Sequence, residues 1–216
     1  MTTPLADRLR EQFGEIDIYL FDQLLRGRIT TGMRVLDAGC GSGRNLVFLM
    51  RERFEVWGMD VNAEAIARLR QLAARLAPTL GASRFQVGPV ESMPHADGSM
   101  DAVISSAVLH FARDDAHWRA MVHEMWRVLA PGGILFARLA TSVGQPGLVP
   151  LGSGRYRLPD GSARYLVDHP RLIETTRALG GELLDPVRSS VVDGLRSMGT
   201  WVVRKPADGV RAAGGA

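Results

Sequence analysis

The chain has 216 residues and a formal net charge of +3, and this length favours one domain, residues 1–205, with a short disordered tail at 206–216. The arginines are spread along predicted helices rather than clustered, which argues against a nucleic-acid partner, and the single cysteine excludes an internal disulfide and a cysteine-cluster metal site. No apolar run reaches the roughly 18 residues of a membrane span and no signal-peptide core is present, so we expect a cytoplasmic protein without a membrane partner or bound metal.

Apolar periodicity predicts alternating helices and strands, which is the pattern of an α/β fold. The predicted helices cover residues 4–13, 16–25, 45–53, 62–76, 114–129 and 170–179. The predicted strands cover residues 33–36, 55–59, 84–87, 102–105, 134–139, 183–192 and 198–203. The first two helices form an N-terminal segment, residues 1–31. Residues 141–167 form an insertion with a hairpin turn at Asp160-Gly161, and we expect it to act as a lid or substrate wall.

The stretch from Val35 to Asn45 has the pattern of a buried strand, a glycine-rich turn and the start of a helix. A dinucleotide turn has the spacing G-x-G-x-x-G, whereas this turn has G-x-G-x-G. Asp37 stands two residues before the first glycine, where its carboxylate would repel a pyrophosphate and favour a cationic ligand. Asp60 ends the next predicted strand, a position suited to a carboxylate that binds a ribose diol. Together these features indicate S-adenosylmethionine, which carries a ribose, an ammonium group and a sulfonium sulfur.

From Gly32 to about Arg204 the sequence resembles the class I S-adenosylmethionine-dependent methyltransferases. The resemblance rests on five motifs in the family's order, at residues 35–45, 58–61, 88–93, 101–110 and 127–133. It implies a Rossmann-like, doubly wound sheet of seven strands in the order 3-2-1-4-5-7-6, with the last strand antiparallel. It also implies S-adenosylmethionine as cofactor, S-adenosylhomocysteine as product, and N-terminal helices that lie over the methyl-transfer pocket.

The resemblance places a cofactor site on the glycine turn and the strand ends around it. The cofactor residues predicted in this way are Asp37, Ala38, Gly39, Cys40, Gly41, Asn45, Asp60, Val61, Val90, Glu91, Ser105 and Ser106. Asp37 would balance the ammonium, Asp60 would bind the ribose, and Val61 and Val90 would enclose adenine. Many family members have an aspartate where Pro89 stands, and it accepts a hydrogen bond from the adenine amino group. The Pro89 side chain cannot accept this bond, so the Val90 backbone and the Glu91 carboxylate are the candidates to replace it.

Cys40 has no histidine beside it in the motif, which favours a small buried residue over a nucleophile. Asp37 has a competing interpretation as a capping carboxylate of the turn.

Three further residues are candidates for the methyl-transfer pocket. His110 follows the fourth strand and could act as a base, although a role in fixing the turn by hydrogen bonds is the competing interpretation. Tyr19 could face the pocket or pack its helix onto the sheet. Arg138 lies within an apolar strand and must emerge at its end or meet an anion. With the hairpin arginines 155, 157 and 164, Arg138 suggests an anionic acceptor, unless the hairpin arginines are solvated.

The sequence therefore predicts a methyltransferase that acts on a small anionic molecule by direct methyl displacement, as a monomer or homodimer. The alternatives are a regulatory module that binds S-adenosylmethionine without turnover, and an RNA or protein methyltransferase. A nicotinamide dehydrogenase is a further alternative, and it should bind NAD instead of S-adenosylmethionine.

Overall fold

The computed structural model describes residues 4–207, which form a central sheet with helices on both faces. The helices are α1 Leu5–Phe13, α2 Ile18–Leu25, α3 Leu46–Arg51, α4 Ala63–Leu76, α5 Asp115–Val128 and α6 His169–Ala178. The strands are β1 Arg34–Ala38, β2 Glu55–Asp60, β3 Phe85–Val87, β4 Met100–Ser106, β5 Leu129–Ala140, β6 Val149–Gly152, β7 Arg155–Arg157, β8 Ala163–Tyr165, β9 Glu182–Leu183, β10 Arg188–Val192 and β11 Arg196–Arg204.

The strand order of the central sheet is β10-β11-β5-β4-β1-β2-β3, and β9 pairs with the end of β11. Strands β1 to β5 are parallel, whereas β11 is antiparallel to both β5 and β10. The predicted order 3-2-1-4-5-7-6 is confirmed, with β10 and β11 as the predicted sixth and seventh strands.

Two details of the prediction are wrong, namely the count of seven strands and the continuous strand over 183–192. The chain divides there into β9 and β10. Asp185 lies in the gap and pairs with Arg28, and Pro186 has no N–H for strand pairing.

The layers follow from the burial of each element. In β1 all residues after Arg34 are buried, as expected for a parallel strand covered by helices on both sides. One face of the sheet packs on α5, whose apolar stripe of Met121, Val122, Met125 and Val128 is buried. The other face packs on α2, α3 and α4. Helices α4 and α6 are capped by Asn62 and Asp168, since the Asn62 side chain accepts two backbone N–H groups of α4 and the Asp168 side chain accepts one of α6.

The insertion after β5 forms a separate three-stranded sheet of β6, β7 and β8. Its predicted hairpin is confirmed as β7 and β8, whereas β6 was not predicted. Tyr165 fastens the small sheet to α5, because its ring stacks on Trp118 and its hydroxyl donates to Asp115 Oδ1 at 2.9 Å. Within residues 4–207 no helix is both long enough and apolar enough to cross a membrane. Residues 208–216 of the predicted tail lie outside the described residues.

Candidate cofactor and acceptor site

Three polar side chains stand in a row at the carboxyl ends of β1, β4 and β5. Asp37 is paired in register with Ile104, and Ser106, two residues beyond Ile104, is paired with Arg138. Residues two apart on a strand share a face, and neighbouring strands lie about 4.8 Å apart. The row therefore crosses the point between β1 and β4 where the strand order reverses, which is where ligands bind in sheets of this kind.

Asp37 is a buried carboxylate, 1% exposed, and neither of its oxygens has a hydrogen-bond partner within the described residues. Burial raises the pKa of its carboxyl to about 7, against the opposing effects of Arg44 and of the nearby Asn45 side chain. An unpartnered carboxylate is costly in a protein interior unless a ligand completes it. The site thus offers both a place and a need for a cationic group.

The glycine turn after β1 brings backbone close to the end of β4. Gly39 has φ +87°, and a Cβ there would lie 2.3 Å from Val108 Cγ2. The Gly39 N–H donates to the Met59 carbonyl at 2.7 Å, which ties the turn to β2. Gly41 has φ +52° and open space around its missing Cβ. Both glycines are thus in the left-handed region, but only Gly39 is required by packing as well.

Asp60 links this turn to the start of α4. Its Oδ2 accepts the Gly41 N–H and its Oδ1 accepts the Asn62 N–H, both at 2.8 Å. Each carboxylate oxygen keeps a second lone pair, so both oxygens can still accept a ligand hydroxyl.

A cleft of about 460 Å³ opens beside Asp60 and Gly39. Val61, 70% exposed, and the buried Val90 both line it. Glu91 and His117 lie in the same wall, with His117 Nε2 3.0 Å from Glu91 Oε1. The cleft brings together five of the predicted cofactor residues: Gly39, Asp60, Val61, Val90 and Glu91.

Arg44 and Asp17 connect the glycine turn to the row of polar side chains. The Arg44 Nη2 donates to Ser106 Oγ at 2.8 Å, and Ser106 Oγ donates to Asp17 Oδ2 at 3.3 Å. The predicted cofactor residue Asn45 is buried, and its Oδ1 accepts the Asp17 N–H at 3.0 Å. Asn45 therefore holds the N-terminal segment against the turn.

Of the two alternatives for Arg138, the structure shows contact with an anion, and this anion belongs to the chain itself. Its Nε lies 3.4 Å from Asp17 Oδ2, and its Nη1 donates to the Met198 carbonyl at 3.0 Å and to Thr200 Oγ1 at 3.1 Å. The ring of Tyr19 covers the guanidinium, with 4.3 Å between the guanidinium carbon and the ring centroid. The Tyr19 hydroxyl shares a hydrogen bond with Ser190 Oγ at 2.6 Å. Tyr19 therefore both packs its helix and shields the cation.

His110 lies apart from this row, under the insertion. Its Nδ1 accepts the Ala140 N–H at 3.2 Å, so the ring proton is on Nε2 in the neutral form. Burial, aided by Arg164, lowers the pKa of His110 to about 4. This geometry favours the turn-fixing interpretation, and the role of a base stays a prediction.

We expect His110→Leu to lower the free energy of unfolding by about 1–3 kcal/mol, because the buried Ala140 N–H loses its acceptor. The pH profile of methyl transfer should keep its shape between about pH 5 and 8, where an unperturbed histidine titrates. Denaturant unfolding and initial rates across that range would measure both effects. If the wild-type profile has an inflection near pH 6 that the variant lacks, His110 acts as a base after all.

The remaining predicted residues are structural neighbours of the site. The buried Ala38 packs in the core beneath α5. Ser105 is fully buried with no hydrogen-bond partner for its hydroxyl within residues 4–207, and strand alternation directs it away from Ser106. Burial, with the charges of Asp37 and Asp60, raises the pKa of the Cys40 thiol. A protonated, buried thiol is a poor nucleophile, in agreement with the interpretation of Cys40 as a small buried residue.

Comparison with known proteins relates part of this chain to methyltransferases. Residues 35–133 match the family described as "Methyltransferase domain". The malonyl-[acyl-carrier protein] O-methyltransferase of Pectobacterium atrosepticum is 33% identical over 111 residues, covering 51% of this chain and 40% of that protein. The tRNA 5-carboxymethoxyuridine methyltransferase of Escherichia coli K12 is 28% identical over 103 residues, covering 48% of this chain and 38% of that protein. The chain thus spans about two fifths of the length of these relatives.

A solved structure supports the assignment at the level of fold. The S-adenosylmethionine-dependent methyltransferase of Methanosarcina mazei superposes with a TM-score of 0.69 at 23% identity, covering 86% of this chain and 98% of that one. Residues 35–133 therefore match a methyltransferase domain, and the chain shares its fold with a solved S-adenosylmethionine-dependent methyltransferase. The residues present fit that cofactor, since the unpartnered buried Asp37 suits an ammonium and the free lone pairs of Asp60 suit a ribose diol.

Proposed function

We propose that this chain is an S-adenosylmethionine-dependent methyltransferase whose acceptor is a small anionic molecule. The observation that carries the proposal is the buried carboxylate of Asp37, unpartnered within the described residues and set immediately before the glycine turn. An ammonium group placed there would satisfy both oxygens and stabilise the ionised form.

The residues around Asp37 can account for the rest of the cofactor. Arg44 lies close enough to Asp37 to affect its pKa, so it is placed to receive the carboxylate that accompanies the ammonium in a methionine. Asp60 would hold the ribose, and Val61 and Val90 the faces of adenine. Glu91 lines the same cleft and supplies the acceptor that Pro89 cannot. When bound, S-adenosylmethionine supplies an electrophilic methyl group on a sulfonium sulfur.

The remaining task of the protein is to position the acceptor and exclude water. Asp17 and Tyr19 close over the strand ends, where the Asp17 and Arg138 side chains are 11% and 12% exposed. Ser106 stands between this covered region and Asp37 in the row. We infer that the acceptor binds beside Ser106, next to the methionine end of the cofactor.

The anionic character of the acceptor rests on Arg138, with its charge buried at the strand end. The names of two relatives include acidic groups, malonyl in one and carboxymethoxy in the other. One of those groups is on tRNA and the other on a carrier protein, so a macromolecular acceptor is a second candidate.

Calorimetric titration with S-adenosylhomocysteine tests the cofactor. We expect the wild-type chain to bind S-adenosylhomocysteine and not to bind NAD. Methyl transfer from labelled S-adenosylmethionine to small carboxylic acids, to total tRNA and to acylated carrier protein then tests the acceptor. Turnover confined to the small acids would support the proposal, whereas turnover confined to tRNA or carrier protein would contradict it. Binding without turnover in any panel would favour the regulatory module.

A further inference from the structure

The carboxylate of Asp17 lies between Arg44, at the end of the glycine turn, and Arg138, near the carboxyl end of β5. Its Oδ2 is 3.4 Å from Arg138 Nε and accepts a hydrogen bond from Ser106 at 3.3 Å. The same Ser106 hydroxyl accepts from Arg44 at 2.8 Å. One carboxylate therefore lies near two guanidinium groups, and it contacts Arg138 directly but Arg44 only through Ser106.

Arg138 has one unused edge. Its Nη1 is fixed by Met198 and Thr200, and Tyr19 covers a face of the guanidinium. Its Nε is buried and has no hydrogen-bond partner within the described residues. A guanidinium binds carboxylates best through two parallel hydrogen bonds from one edge. The Nε edge is thus the part of Arg138 that a second carboxylate could complete.

Asp17 cannot complete this edge from its present position. It is the N-terminal cap of α2, and its Oδ1 accepts the Tyr19 N–H at 2.9 Å. Its own N–H donates to Asn45. With one oxygen committed to the cap and the backbone held by Asn45, only Oδ2 faces Arg138, and it makes a charge contact rather than a hydrogen bond.

We propose that the Nε edge of Arg138 binds a carboxylate group of the methyl acceptor, and that this group takes the place of the Asp17 Oδ2 atom beside that edge while Asp17 Oδ1 stays in the helix cap. The proposal rests on the proposed function and narrows the acceptor to a carboxylic acid. Arg44 is assigned to the cofactor, which leaves Arg138 for the acceptor. A carboxylate is favoured over a phosphate dianion because a single edge offers few donors, and both Asp17 and Asp37 would repel a second negative charge.

Propionate is the probe, with neutral propionamide as its control, in the presence of saturating S-adenosylhomocysteine. The readout is the Arg138 Nε–H resonance of the ¹⁵N-labelled protein, which reports hydrogen bonding at that edge without turnover. Asp17→Asn retains the capping oxygen and removes the charge, so we expect it to tighten propionate binding about tenfold. Arg138→Gln should abolish binding, and Arg138→Lys should keep a weak remainder because it keeps charge without the edge. The exposed α4 variant Arg75→Gln is the matched control and should behave as wild type.

Several outcomes would overturn the assignment. These are an unchanged or weaker affinity in Asp17→Asn, undiminished binding in Arg138→Gln, equal binding of propionamide, or tighter binding of inorganic phosphate than of propionate. Loss of S-adenosylhomocysteine binding in Arg138→Gln would also overturn it, since Arg138 would then hold the cofactor. If the wild-type chain fails to bind S-adenosylhomocysteine, the proposed function is wrong, and the propionate titration of the free chain still decides the Arg138 site.

Discussion

Asp37→Asn is expected to raise the Kd for S-adenosylhomocysteine at least about 100-fold. Breaking a buried, desolvated ion pair by removal of one partner costs on the order of 3 kcal/mol or more, and about 1.4 kcal/mol corresponds to a factor of ten. Isothermal titration measures the change. Asp7→Asn, an exposed position on α1, is the matched control and should bind as wild type. Equal affinities of Asp37→Asn and wild type for S-adenosylhomocysteine would show that the ammonium group does not bind at Asp37.

The same variant should stabilise the chain in the absence of cofactor. Burial raises the pKa of Asp37 from 3.8 to about 7, so the unfolded chain loses this proton at lower pH than the folded chain. The folded state is therefore penalised as pH rises from about 4 to about 7, with a total on the order of 4 kcal/mol. We expect denaturant unfolding to show stability falling over that range in wild type and a flatter dependence in Asp37→Asn. Cofactor affinity should change in the opposite sense and rise with pH towards about 7.

Gly39→Ala is expected to lower the free energy of unfolding by about 3 kcal/mol, because it combines a left-handed backbone penalty with overpacking. The added Cβ would lie 2.3 Å from Val108 Cγ2 at a φ of +87°. Since the turn would have to move away from β4, we also expect the affinity for S-adenosylhomocysteine to fall. Chemical denaturation and calorimetry measure the two effects.

Gly41→Ala separates packing from backbone conformation. Position 41 shares the positive φ of position 39, but a Cβ added there meets open space. We therefore expect Gly41→Ala to lower the free energy of unfolding by only about 1 kcal/mol. Adding Val108→Gly to Gly39→Ala should recover part of the loss, because it removes the side chain that the new Cβ meets. Equal costs for the two single alanine variants would show that Val108 does not determine the need for glycine at position 39.

The parts of the site closest to the glycine turn were predictable from sequence because they are local in the chain. Asp37 and the turn glycines lie within one strand–turn–helix unit, and Asp60 follows the next strand, so alternation and turn chemistry suffice to place them. The strand order followed from the family resemblance. The adenine end, with Val61, Val90 and Glu91, followed from the family resemblance, and these three residues line one cleft.

The contacts of Arg138 and His110 were not predictable, because each depends on a distant segment. Asp17 reaches Arg138 across 121 positions of the chain, and no local pattern distinguishes a helix cap that also pairs with a strand. The partner of His110 is a backbone N–H of β5, and backbone groups leave no trace in composition. Arg44 did carry a signal, since it lies in the glycine motif, but a lone arginine at a helix start does not disclose its target. The split of 183–192 likewise depended on Arg28 meeting Asp185.

The order of these residues along the chain separates the two binding tasks. Every side chain assigned to the cofactor lies between Asp37 and Ser106, within the residues that match the family. The side chains around Arg138 are Asp17 and Tyr19 near the start of α2 and Thr200 in β11, which like Arg138 itself lie outside that segment, and Ser106, which lies inside it. Under the proposed assignment, sequence changes outside the matched segment would alter the acceptor pocket and leave the cofactor residues unchanged. Relatives that share only that segment would then be able to modify unrelated molecules.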